Sequence, residues 1–328
     1  MPKQSVLIIK HGFSEICDHN LSPVVSYGDV FRCTCLLEEY RGEYVTWITA
    51  RKALDLLSGN HLIDQLILAD APDEIPPGFV LHHYDVVINL EKNRAWCEFA
   101  TNLYAEQKYG FRDWQAEGDE CFYPASTQAL SRALNGDHYR TLQEMLFQTV
   151  GRQWHGQRYV LGYQPKVVEM YDVGLNHHVG PKWPNKTWPE NHWRQLHDRL
   201  DRQNYALCWQ QSLNSIRHYI DWLASCRLIV TCDSLGLHLA LALRKKVVAL
   251  FGPTAPQQIH LYGLGVKLTP AAERNCIPCL QSQCQFDHRC MEYLSVNMVG
   301  DAVNMLMDKS EPVVAEGKRV AEEAVVGT

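Results

Sequence analysis

The chain has 328 residues, 31 Lys and Arg against 37 Asp and Glu for a formal charge of −6, and is 46% hydrophobic and 21% charged. That length supports two domains with substantial cores, and the acidic balance excludes a generically basic nucleic-acid binder. No run approaches the roughly 18 apolar residues of a membrane span, and Val6-Leu7-Ile8-Ile9 is too short for a signal-peptide core, so a cytoplasmic protein is expected. The 12 cysteines are then thiols or metal ligands before they are disulfides.

Short Val/Ile/Leu-rich runs alternate with segments of helical period, the pattern of a parallel sheet flanked by helices. In chain order the first half predicts strands at Ser5–Lys10, Tyr44–Thr49, Gln65–Leu68 and Asp85–Asn89. Helices fall between them at Asp29–Glu39, Ala50–Leu57 and Arg94–Gln107. The same rhythm restarts at Tyr171–Asn176, which leads through a Pro- and Trp-rich loop to a helix at Glu190–Arg202. Trp193, Leu196 and Leu200 share one face of that helix. Strands Arg227–Cys232 and Val247–Phe251 bracket a helix at Leu237–Arg244, and a closing helix spans Val296–Met307. Residues 1–160 and 161–308 are therefore expected as two doubly wound α/β domains, followed by a loosely held tail at 309–328.

The halves differ in charge. Residues 1–160 carry 14 basic and 21 acidic side chains, a balance of −7, whereas 161–328 carry 17 and 16, a balance of +1. An anionic ligand is easier to seat in the second half.

Ligands of such sheets bind beyond the carboxyl ends of the strands, where a following helix offers free N–H groups. Thr231-Cys-Asp-Ser-Leu-Gly-Leu-His238 leaves a buried strand and enters a helix at such an edge. Ser234 there is suited to cap the helix or bond a phosphate, Asp233 to fix a hydroxyl, and Gly236 to admit a ligand close to the backbone. A helix cap with a packing glycine explains the segment equally well. The next strand ends at Gly252-Pro253-Thr254, which places a second phosphate-compatible loop at that edge. Lys182-Trp-Pro-Asn-Lys186-Thr-Trp188 puts a lysine just before a helix, where it can neutralise a leaving phosphate; Trp183 and Trp188 read as packing residues. In the first half Asp29 opens a helix, either as a dipole-stabilised first-turn acid or as a general base at the sheet edge. Cys276, Cys279, Cys284 and Cys290, with His288 among them, read as a structural zinc or iron site, as reduced packing thiols, or as disulfides. Nothing in the sequence places that tract beside the phosphate loops.

Together these stretches resemble glycosyltransferase family 9, the bacterial heptosyltransferases. The matching pieces are Gly28-Asp29-Val30, Gly174-Leu-Asn176, Lys186-Thr-Trp-Pro, Asp233-Ser-Leu-Gly-Leu-His238, Val248-Ala-Leu-Phe-Gly-Pro-Thr254 and the tract closing on Cys290-Met291, in the family's order over nearly the whole chain. The resemblance implies a GT-B fold, two Rossmann-like domains facing across a cleft, with acceptor held by the first and nucleotide sugar by the second. It implies metal-independent, inverting transfer of a heptose from an ADP-activated donor, as in lipopolysaccharide biosynthesis. Asp29 maps to the base, and Asn176, Lys186, Asp233, Ser234, Gly236, His238 and Thr254 to the donor site. The chain departs from the family in the long Gly12–Tyr27 loop on the acceptor side and in Cys208-Trp-Gln-Gln-Ser212, which lacks an acidic residue for the nucleotide. With −7 in the first half and no basic run, the expected acceptor is less anionic than a lipopolysaccharide core: another glycolipid, a glycan, a protein side chain or a secondary metabolite. Peripheral contact with the inner face of the bacterial inner membrane fits this class. A transferase or epimerase of another nucleotide sugar, and a non-catalytic nucleotide-sugar or metal-binding protein, remain the competing readings.

Overall fold

The structure, a computed structural model, describes residues 2–12, 25–111, 140–211, 215–270 and 276–307 and the backbone of 319–320. Most of the long first loop, Ser212 and nearly all of the expected tail lie outside the described residues. The chain divides into two compact units, Met1–Gln164 and Pro165–Thr328.

The first unit is built on strands β1 (Ser5–Ile9), β2 (Tyr44–Thr49), β3 (Gln65–Leu68), β4 (His83–Asn89) and β5 (Tyr104–Gly110), all parallel in the order β3-β2-β1-β4-β5. Val6 and Ile8 are buried as fully as Leu7 and Ile9, so β1 is covered on both faces, as a central parallel strand must be. Leu7, Ile9, Ile48, Val87 and Trp96 meet in one of the cores that result.

The helix expected at Asp29–Glu39 is α1 (Tyr27–Arg32) followed by a tighter 3₁₀ turn at Cys33–Glu38. Thr34 Oγ1 donates to the Phe31 carbonyl at 2.7 Å and Cys35 Sγ to that of Arg32, so side chains compete there for helical acceptors. Ala50–Leu57 is likewise a 3₁₀ turn at Arg51–Ala53 running into α2 (Leu54–Leu57), and α3 (Pro77–Val80) is one short turn. The helix expected at Arg94–Gln107 stops as α4 (Arg94–Asn102), capped by Asn93 accepting from Ala95 N, and the chain continues as β5. That edge strand is only partly buried and largely polar, which hides it from an apolar-run reading. Helix α5 (Leu142–Thr149) opens on a capping box between Thr141 and Glu144.

The second unit contains β6 (Tyr171–Asn176), α6 (Glu190–Asp201), β7 (Leu207–Trp209), α7 (Ile216–Ala224), β8 (Cys226–Cys232), α8 (Leu235–Ala242), β9 (Lys246–Leu250), β10 (Gly265–Leu268), α9 (Val296–Leu306) and the two-residue β11 (Arg319–Val320). The sheet order is β11-β10-β9-β8-β6-β7, parallel except for β11 against β10. Trp193, Leu196 and Leu200 of α6 join Val299 and Val303 of α9 and Val173, Leu175 and Leu228 of the sheet in one buried cluster.

Both units are doubly wound Rossmann-like α/β folds, the pair that makes up the GT-B architecture. Strand order reverses between β1 and β4 in the first and between β6 and β8 in the second, and these are the places where such sheets hold ligands.

Candidate functional site

At the second switch point, Asn176 ends β6 and is fully buried. Its Nδ2 donates to Thr231 Oγ1 at 2.7 Å and to Ser234 Oγ at 3.3 Å, and its Oδ1 accepts from Tyr219 OH at 2.7 Å. The amide therefore stitches β6 to the β8–α8 turn and to α7. Gly236 is where that stitch passes α8: a Cβ there would lie 2.2 Å from Asn176 Nδ2 and 2.3 Å from Tyr219 OH. The space beside this glycine is taken by the protein itself. Ser234 stands at the N-cap of α8 in extended conformation but makes no side-chain cap, because its hydroxyl faces Asn176 and Thr231; the first N–H groups of α8 are not capped by it.

Asp233 lies on the same turn. Lys186, reaching from the 3₁₀ turn Pro184–Lys186 that precedes α6, places its ammonium 2.8 Å from Asp233 Oδ2 and 4.7 Å from the centre of the Trp183 ring. Burial works against the Asp233 charge, but Lys186, then His238, and then hydrogen bonding by Lys186 outweigh it and hold the carboxyl below its ordinary value. Thr254, beyond β9, adds to this effect although its hydroxyl makes no hydrogen bond of ordinary geometry. His238 and Thr254 are both buried. The structure thus gathers Asn176, Lys186, Asp233, Ser234, Gly236, His238 and Thr254 at one sheet edge, with one cation beside the open end of a helix.

The cysteine tract borders the same loops, a placement for which the sequence carried no signal. Leu280 N donates to the Pro253 carbonyl at 2.8 Å, and Asn185 N and Nδ2 donate to the carbonyls of Ser282 and Gln281, each at 3.2 Å. A Cβ on Gly252 would sit 2.5 Å from Met291 Sδ and 2.8 Å from Cys290 Sγ. Burial raises the Cys290 thiol to about 11, with the neighbouring Cys279, Cys284 and Cys276 adding to it, so the four sulfurs share one neighbourhood. Among the described residues, however, no three His, Cys, Asp or Glu side chains are arranged to hold a metal ion, so the geometry does not form the ligand set of a structural zinc or iron. What the tract visibly does is pack the Lys186 and Thr254 loops together. Trp188 packs as expected, fully buried with Nε1 donating to the Leu294 carbonyl at 2.9 Å.

In the first unit Asp29 is 2% exposed, near the start of α1, and ion-paired with Arg32 of the same helix. The switch point beside it holds a polar cluster that the sequence did not flag. Glu91, completely buried just after β4, accepts from His11 N and Gly12 N at 2.7 Å each and from the Lys10 ammonium at 3.0 Å. The His11 ring packs on Trp96 with centroids 4.3 Å apart, and desolvation lowers its pKa to about 4. A carboxylate immediately behind an apolar strand is the only sequence signal for this cluster. Of the described helices, none is long and apolar enough to cross a membrane.

Comparison with known proteins agrees with the motifs. Residues 213–289 match the model of glycosyltransferase family 9 (heptosyltransferase), which upholds the resemblance drawn from the sequence. Lipopolysaccharide heptosyltransferase 1 of Pseudomonas aeruginosa is 28% identical over 129 residues, which are 33% of this chain and 36% of that protein. The chain spans about a third of the length of the curated relatives it matches. Among solved structures, the ADP-heptose lps heptosyltransferase II of E. coli superposes with a TM-score of 0.66 at 14% identity, over 93% of this chain and 99% of that one. The E. coli heptosyltransferase WaaC with ADP-2-deoxy-2-fluoro heptose gives 0.54 at 16% identity, over 90% and 97%. Likeness at these identities shows the shared fold.

Proposed function

We propose that the protein is an inverting glycosyltransferase that moves a heptose, or a related sugar, from an ADP-activated donor to a hydroxyl of a glycan, glycolipid or other acceptor. The observation that carries this is the Lys186–Asp233 pair seated beside the start of α8 at the second switch point. A fixed ammonium and uncapped helix N–H groups together make a place for a diphosphate. The donor named in the E. coli relatives, an ADP-heptose, supports the sugar and nucleotide.

The second unit, residues 161–308 in this proposal, holds the donor, and residues 1–160 hold the acceptor. Asp29 takes the proton from the acceptor hydroxyl as that oxygen bonds to the anomeric carbon on the face opposite ADP. The bond from that carbon to the diphosphate oxygen breaks, and its electron pair leaves with ADP. Lys186, the Thr254 hydroxyl and the first N–H groups of α8 stabilise the charge that grows on the diphosphate. Asp233 cannot bind phosphate itself; it holds Lys186 in place and accepts a hydrogen bond from a donor hydroxyl. Asn176, Ser234, Gly236 and His238 set the shape of the turn. The chemistry suits a cytoplasmic enzyme working at the inner face of the membrane.

Calorimetry with ADP, UDP and GDP, followed by ADP-heptose turnover against lysate glycans, tests this. Preferential binding of ADP and a heptose mass gain on a glycan are expected; tighter binding of UDP or GDP would overturn the donor assignment.

A further inference from the structure

We infer that Glu91 is a positioning residue for Asp29: its buried carboxylate anchors the turn after β1 from which α1 is set. This rests on the proposal that Asp29 is the base.

In a doubly wound sheet the turn after the first strand, at the switch point, presents backbone N–H groups to an anion. Here the anion is internal. One oxygen of Glu91 accepts from His11 N, Gly12 N and the Lys10 ammonium, three charge-assisted hydrogen bonds on a group with no exposed surface. The anchored Gly12 has φ +90°, and a Cβ on it would lie 2.8 Å from both the Ser26 carbonyl oxygen and Val30 Cγ2, so the helix closes directly onto this turn. Gly12 O accepts from Ser26 N at 2.8 Å, and Ser26 O accepts from Asp29 N at 3.2 Å and Val30 N at 3.3 Å. A continuous hydrogen-bonded path therefore runs from Glu91 through Gly12 and Ser26 to the backbone of Asp29.

The same carboxylate balances charge. Asp29 is faced by Arg32 from its own helix, by the Cys33 thiol and by Lys10 from the end of β1. Glu91 neutralises Lys10, so that the base is not opposed by two full cations. Without it, Asp29 becomes a weaker base.

The test uses the full chain, ADP-heptose as donor and water as acceptor, with ADP release followed from pH 4 to 8. E91Q keeps an oxygen for the two N–H groups but leaves Lys10 unneutralised. It is expected to lower kcat at least fivefold with the donor KM within twofold, and to move the acid limb of the kcat profile to lower pH. K10M/E91Q, which removes both charges, is expected to return kcat to within threefold of the parent and to restore the limb. A folded E91Q with parental kcat and parental limb overturns the inference, as does a folded double variant slowed more than tenfold. The double variant alone decides the matter if E91Q does not fold. Failure of the base reading is distinguishable, because D29N would then keep turning over.

Discussion

Lys186 and Asp233 meet at 2.8 Å with only 12% and 10% of their side chains exposed, although one precedes α6 and the other follows β8. In the proposed reaction a donor diphosphate entering this edge would compete with Asp233 for a cation already in place, so no lysine movement would have to be ordered on binding.

Removing Lys186 leaves Asp233 buried and unbalanced. K186A is expected to lose about 3 to 5 kcal/mol of unfolding free energy in urea, and K186A/D233N to regain part of it. Both variants should turn over the donor about 100- to 1,000-fold more slowly, as expected when a group that stabilises a departing oxyanion is lost. The pair also fixes a pH dependence. Because the folded carboxyl lies below its unfolded value of 3.8, its contribution is complete at neutral pH and is lost as pH falls below that value.

D29N is expected to cut sugar transfer about 100- to 10,000-fold, the range for loss of a general base, while ADP affinity measured by calorimetry stays unchanged. Turnover within threefold of the parent would remove Asp29 from that role.

His11 gives a separate acid sensitivity. Its pKa falls from 6.5 unfolded to about 4 folded, mainly through desolvation. Between those values the unfolded chain binds the extra proton, so stability is complete above 6.5 and declines towards 4 by about 3 kcal/mol. Urea midpoints measured across that window should fall steadily, and H11Q should flatten the fall.

Gly236 has no room for a side chain. G236A forces a methyl into the space of Asn176 Nδ2 and Tyr219 OH, and an overpacking loss of about 1 to 3 kcal/mol is expected in thermal or urea unfolding, together with weaker ADP binding.

The doubly wound order and the cluster at the second switch point are legible in the sequence because central parallel strands are continuous apolar runs and the loops behind them carry Gly, Pro, Asp and Ser. Strands β5, β7 and β10 escape that reading, since they are short or half exposed and their pairing comes from neighbours rather than from their own residues. Asp233 and Thr254 stand out as residue types beyond strand ends, and Lys186 as a cation just before a helix. Glu91 does not, because its importance depends on β4 lying next to β1. The contact of the cysteine tract with the Lys186 loop is equally invisible, since it runs through the backbone of Asn185, Pro253 and Leu280.

That last contact gives sulfur chemistry a route to the proposed donor edge. Because carbonyls and N–H groups of the tract grip the 185 and 253 segments, a sulfenic or mixed-disulfide adduct at Cys284 is expected to disturb the proposed donor edge. Preparations ageing in air should therefore lose donor affinity while still folded, and a reductant added early enough should bring it back.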